Sequence, residues 1–114
     1  MKNFKRSEFA CHCGCGFDTV DFELAEVLDD VREHFGRKIN VVSGARCRKR
    51  NKLVGGADGS QHLEGKAADI KTEGVSPHTV YEYLVEKYKG RYGIGVYPTW
   101  VHVDTRGTLA RWRG

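Results

Sequence analysis

The sequence predicts an α+β domain, a small mixed or antiparallel sheet carrying about three helices. Apolar residues recur at helical spacing in two stretches, 24–35 and 80–88. Short β-branched runs recur at 39–42, 66–71, 93–97 and 100–105, bounded by glycine and proline. A chain of 114 residues supports one modest core. Residues 1–114 therefore read as a single domain whose first 17 residues are a cysteine-rich segment.

Each element has its own local cause. Leu24, Val27, Leu28, Val31 and Phe35 form the stripe of the first helix, with Asp18 or Asp21 as N-cap and Gly36 as its stop. Ile39-Asn40-Val41-Val42 reads as a short strand that delivers the chain to Ser43-Gly44-Ala45-Arg46. A short basic helix fits from about Cys47 to Val54, ending at Gly55-Gly56. The stretch from Gly55 to Gly65 holds four glycines and an Asp58-Gly59 turn signal, and reads as loop. Lys66 to Lys71 is a second strand. Ser76 and Pro77 suit the N-cap and first position of a helix with the stripe Val80, Tyr81, Leu84, Val85 and Tyr88. Gly93 to Tyr97 and Trp100 to Thr105 read as two strands joined at Pro98-Thr99.

Composition excludes several classes. The hydrophobic fraction is 39% and the charged fraction 30%, with two prolines and no repeat or low-complexity stretch. No apolar run approaches the roughly 20 residues that span a bilayer. The segment from Met1 to Glu8 is basic but lacks the apolar core of a signal peptide. Much of the net charge of +4 comes from Arg46-Cys47-Arg48-Lys49-Arg50-Asn51-Lys52, which is either a solvated helix face or a patch for anionic partners. Cys11, Cys13, Cys15 and Cys47 admit disulfides, a structural zinc site or reduced thiols.

Three residues carry the chemistry. His62 and Asp69 lie in Ser60-Gln61-His62-Leu63-Glu64-Gly65-Lys66-Ala67-Ala68-Asp69, and His102 lies in Trp100-Val101-His102-Val103-Asp104. Two imidazoles and one carboxylate are donors that hold a catalytic zinc while leaving its fourth position open to water. Gly65 permits the reversal that lets His62 and Asp69 face one point. Alternation places Trp100, His102, Asp104 and Arg106 on one strand face, with Val101 and Val103 turned to the core. The zinc site is therefore expected on the sheet face. His34 and His78 read as ordinary solvated or packed histidines.

Together with Ser43-Gly44-Ala45-Arg46, these motifs resemble the bacterial and phage family of zinc D-Ala-D-Ala carboxypeptidases and L-alanyl-D-glutamate endopeptidases. The resemblance runs from about Phe9 to Asp104, in order and separation. The stretch from Glu8 to Gly16 resembles the lead-in of small phage and prophage members. It implies His62, Asp69 and His102 as the zinc ligands. It also implies Arg46 as the arginine that steadies the reacting intermediate or binds a substrate carboxylate, since a guanidinium forks onto either. Ser60 and Gln61 join Arg46 as substrate-binding candidates. Many relatives place an acidic general base three residues before the last histidine, where this chain has Thr99, which cannot accept a proton in that way. Asp104 is the nearest substitute, either as that base or as a group orienting an imidazole. Glu64 is a further candidate. Tyr97 and Trp100 are placed at the groove or in the core.

The leading expectation is a zinc metallopeptidase that hydrolyses peptidoglycan stem peptides, as carboxypeptidase or endopeptidase. The alternative is an inactive zinc-site fold that binds wall peptide or protein, a reading that rests on Thr99. No nucleic-acid recognition motif is present, so peptidoglycan peptides rather than specific nucleic acid are the expected partner. Without a signal peptide, the chain is expected to be made in the cytoplasm and to act on the wall if released by a partner pore, as an endolysin is, or else on cytoplasmic muropeptides.

Overall fold

Asp21 starts the first helix and also ties it to the rest of the chain. Its carboxylate accepts from the Leu24 amide at 3.4 Å and from the Thr105 hydroxyl at 3.0 Å, while its own N–H donates to the Gly65 carbonyl at 2.8 Å. Of the two expected caps, Asp21 is the one in use. The structure, a computed structural model, describes residues 4–12, 14, 15, 18, 20–56 and 60–114, with backbone alone at 48–50, 63 and 64. The expected Asp58-Gly59 turn, Cys13 and the Glu64 side chain lie outside the described residues.

Helix α1 (Phe22–Phe35) runs from that cap to Gly36. Strand β1 (Ile39–Ser43) follows, then the short helix α2 (Arg48–Leu53) and strand β2 (Ala67–Thr72). Helix α3 (Pro77–Lys87) begins at Ser76, whose hydroxyl accepts from the Thr79 amide, with Pro77 in its first turn. Strands β3 (Gly93–Val96) and β4 (Val101–Asp104) form the expected hairpin. Three elements are additions to the sequence-based expectation: 3-10 turns at Arg6–Phe9 and Gln61–Glu64, and a fifth strand, β5 (Ala110–Arg113). No helix among the described residues is long and apolar enough to cross a membrane.

The five strands form one sheet in the order β1-β2-β4-β3-β5. Neighbours are antiparallel except β3 and β5, which run parallel. The fold is thus the expected α+β arrangement with a mixed sheet. Ala68, Ile70, Ile94, Val101 and Val103 cover one sheet face, packed under Leu24, Leu28 and Val31 of α1 and Val80 and Leu84 of α3. On the opposite face, Ser43, Asp69, His102, Gly95 and Trp112 pair in sequence to form one row across all five strands.

Because Leu28 is fully buried between α1 and the sheet, Leu28→Ala should cost about 2–5 kcal/mol of folding stability. Asp21→Ala removes a helix cap and should cost less, about 0.5–2 kcal/mol. Urea denaturation of the two variants checks the order; an Asp21→Ala loss larger than that of Leu28→Ala would contradict it.

Candidate metal centre

Asp69 and His102 are directly opposed across the β2–β4 pair, with His102 Nδ1 2.9 Å from Asp69 Oδ1. His62 reaches the same point from the 3-10 turn at Gln61–Glu64, with its ring centroid 5.2 Å from that of His102. Gly65 follows that turn with a φ of 68°, the reversal expected of it. One donor atom from each of His62, Asp69 and His102 lies within 4.8 Å of the others, so the three together could hold a metal ion.

The far side of each imidazole decides what the near side can do. His62 Nδ1 lies 2.7 Å from the Gly44 carbonyl oxygen. A carbonyl only accepts, so in the neutral ring Nδ1 carries the proton and Nε2 the lone pair. That Nε2 is buried, makes no hydrogen bond among the described residues, and lies 3.4 Å from Asp69 Oδ2. A buried lone pair aimed at a carboxylate is unfavourable unless a cation stands between them. His102 is held from behind by Asp104, whose Oδ2 is 2.7 Å from Nε2, leaving Nδ1 toward Asp69. The residues present therefore fit a divalent ion.

Gly44 is itself held tightly. A Cβ there would meet Phe9 Cα at 2.7 Å and Phe9 O at 2.8 Å, so the close approach of two backbones requires glycine. The neighbouring Ala45 N–H donates to Phe9 O at 2.8 Å, and the Arg46 N–H donates to the His62 carbonyl at 2.9 Å. Residues 44–46 thus bracket His62 at both its ring and its backbone.

The ligand set lies in a cavity of about 900 Å³, also lined by Arg46, Ser60, Gln61, Tyr97, Trp100, Arg106 and Trp112. Arg46 donates to Asn51 Oδ1 at 3.2 Å. Tyr97 and Trp100 stack with centroids 4.5 Å apart, and the Trp112 indole N–H donates to the Tyr97 hydroxyl at 2.8 Å. Asp104 does not line the cavity. It is fully buried, with Oδ1 taking the Arg106 Nε–H at 2.8 Å and Oδ2 taking the Arg106 Nη2–H at 2.7 Å. Thr99 is exposed in the β3–β4 turn and is also absent from the lining. His34 stacks on Tyr83 and His78 pairs with Glu82, both away from the cavity.

With this geometry in place, the comparison with known proteins is direct: the profile of the peptidase M15 family matches residues 2–104. The chain belongs to the peptidase M15 family. The probable peptidoglycan L,D-endopeptidase MepK of Haemophilus influenzae is 34% identical over 105 residues, covering 83% of this chain and 55% of that protein. The chain thus spans about half the length of the curated relative it matches.

In this M15 chain, burial alone would raise the Asp69 and Asp104 carboxyls. The neighbouring imidazoles of His102 and His62 outweigh that at Asp69, and His102 and Arg106 outweigh it at Asp104. Both therefore sit below the usual carboxylate range and stay ionised. Burial pulls His102 down, but the carboxylates of Asp104 and Asp69 at its two nitrogens prevail and raise it above 6.5.

Two lining residues escaped the sequence reading. His12 lines the cavity from the cysteine-rich segment. Trp112 reaches it because Gly95, its β3 partner, has no side chain; a Cβ there would lie 2.2 Å from the indole nitrogen. The only signal for His12 was its place between two cysteines, and the sequence around Trp112 carries no strand pattern.

Two outcomes follow for metal binding. With His102 doubly protonated, both ring nitrogens are donors and neither can ligate, so a raised His102 pKa makes protons compete with metal. Zinc affinity should rise as pH climbs from about 5 to 8, with proton release on binding. Calorimetry in buffers of different ionisation enthalpy checks this, and a flat profile would contradict it. Asp104→Asn keeps the shape but removes the charge behind His102, and zinc affinity should fall about 10- to 100-fold. An unchanged affinity in chelator competition would count against that orienting contact.

Proposed function

We propose that the chain is a zinc-dependent peptidase that hydrolyses peptide bonds in peptidoglycan peptides, of endopeptidase type, as the name of the Haemophilus influenzae relative suggests. The observation that carries this reading is the buried His62 Nε2, fixed as an acceptor by Gly44 and aimed at Asp69 on the cavity floor. His62 Nε2, an Asp69 oxygen and His102 Nδ1 would hold the ion. Zinc bound there supplies a Lewis acid that polarises a carbonyl and lowers the pKa of water to about 7.

The chain's own side chains supply the rest. Arg46, entering the cavity beside His62, would stabilise negative charge developing on the scissile carbonyl or grip a substrate carboxylate. Gln61 offers an amide to the substrate backbone. Ser60 also positions its neighbour, since its hydroxyl accepts from the His62 amide at 3.2 Å. The Tyr97–Trp100 stack forms an aromatic wall for the groove.

Proton transfer is assigned to His12 rather than Asp104. Asp104 is enclosed by Arg106 and His102 and does not line the cavity. Among the described residues lining the cavity, His12 is the imidazole outside the candidate ligand set, and an imidazole can act as general base and then general acid. Its imidazole would take a proton from the attacking water and return it to the leaving amine. Asp104 then acts as a positioning residue for His102.

Digestion of a defined muropeptide mixture, followed by mass spectrometry, tests the reading. Cleavage should stop with chelator, return with zinc, and be absent in His62→Ala. In His12→Ala, kcat should fall about 10²- to 10⁴-fold with little change in KM. Product masses separate internal cleavage from loss of a terminal D-alanine. Muropeptide binding without any zinc-dependent product would instead favour a binding module.

A further inference from the structure

We propose a second metal site, distinct from the His62–Asp69–His102 centre, in which the thiolates of Cys11, Cys15 and Cys47 hold a thiophilic divalent cation of the zinc class. One sulfur from each cysteine lies within 4.8 Å of the others. Zinc–sulfur bonds of about 2.3 Å in tetrahedral geometry place two sulfurs about 3.8 Å apart. The Cys11 and Cys47 sulfurs are 3.7 Å apart.

A second observation points the same way. The Cys47 backbone N–H donates to Cys11 Sγ at 3.5 Å. A backbone N–H donated to a sulfur is the kind of outer hydrogen bond that orients a ligating thiolate at metal sites. Three convergent sulfurs are also one more than a disulfide uses. Soft thiolates select zinc-class ions over magnesium or calcium. Cys11 is buried and Cys15 exposed, so the cluster opens from the interior to solvent. On coordination each thiol that becomes a ligand releases its proton to solvent.

The position gives such a site a task. Cys11 immediately precedes His12, and Cys47 immediately follows Arg46; both neighbours line the catalytic cavity. An ion bridging them would clamp the cysteine-rich segment to residues 44–47, beside the backbone bond from Ala45 to Phe9.

Cobalt(II) titration of the reduced, metal-free full chain tests this, because sulfur-to-cobalt charge-transfer absorption arises from thiolate ligation alone. The band should saturate in the wild type and in His62→Ala, and zinc should bleach it. In Cys47→Ser and in Cys15→Ser, whose exposed side chain makes misfolding a poor explanation, cobalt affinity at this site should fall more than about tenfold. No charge-transfer band in the reduced wild type, or a band unmoved by both serine variants, would overturn the proposal. Since His62→Ala disables the other centre only, failure of the peptidase reading and failure of this site are separable.

Discussion

Strand register is the constraint on which the rest of the structure depends. Asp69 and His102 meet because β2 and β4 pair with those two residues opposite each other. Opposed side chains of an antiparallel pair stand about 4.5–5.5 Å apart at Cβ, close enough to share one ion. A slip of one residue would turn both ligands to the other face. There they would meet Leu28, Val31 and Leu84, where an unpaired charge is costly. The apolar face prevents the slip, since Ala68 opposes Val103 and Ile70 opposes Val101, all buried. The core therefore sets the chemistry on its reverse side.

The third candidate ligand, His62, comes from outside the sheet, and a different device holds it. His62 stands on a turn, bracketed by the Gly44 carbonyl and the Arg46 amide. The backs of the two imidazoles are treated differently: His62 meets a neutral carbonyl, whereas His102 meets a buried carboxylate. Asp104 needs Arg106 to make that burial tolerable, and Gly93 leaves room for the pair, since a Cβ there would come within 2.5 Å of both. Small residues on the site face are therefore space for polar side chains.

Much of this was legible in the sequence because it rests on short-range pattern. The stripes of α1 and α3, the Asp21 and Ser76 caps and the alternation through His102 each lie within one element. Alternation also placed Asp104 and Arg106 on the His102 face, yet it gave no sign that Asp104 would be buried away from the cavity lining. β5 was hidden for a similar reason. Its stretch reads Ala110-Arg111-Trp112-Arg113, and it is held by the Arg111 guanidinium donating to the carbonyls of Tyr88, Arg91 and Tyr92. His12 depends on the meeting of residues 11 and 47, a contact that no local pattern announces. What stayed hidden was the partnership of polar groups distant in sequence.

That partnership explains how the centre tolerates its own charge. Two carboxylates flank His102, and both stay ionised. The carboxylates at the two nitrogens of His102 raise its pKa, so the space between Asp69 and Asp104 favours positive charge. A divalent ion on the Asp69 side would supply such charge while leaving the Asp104 contact intact. It would meet a position already arranged for a cation, so little of the surrounding polar network needs to reorganise. His62 is oriented differently, because its Nδ1 is turned to the Gly44 carbonyl and its Nε2 to Asp69. The two candidate ligand histidines are thus held from behind in different ways, and their difference follows from a carbonyl in one place and a carboxylate in the other.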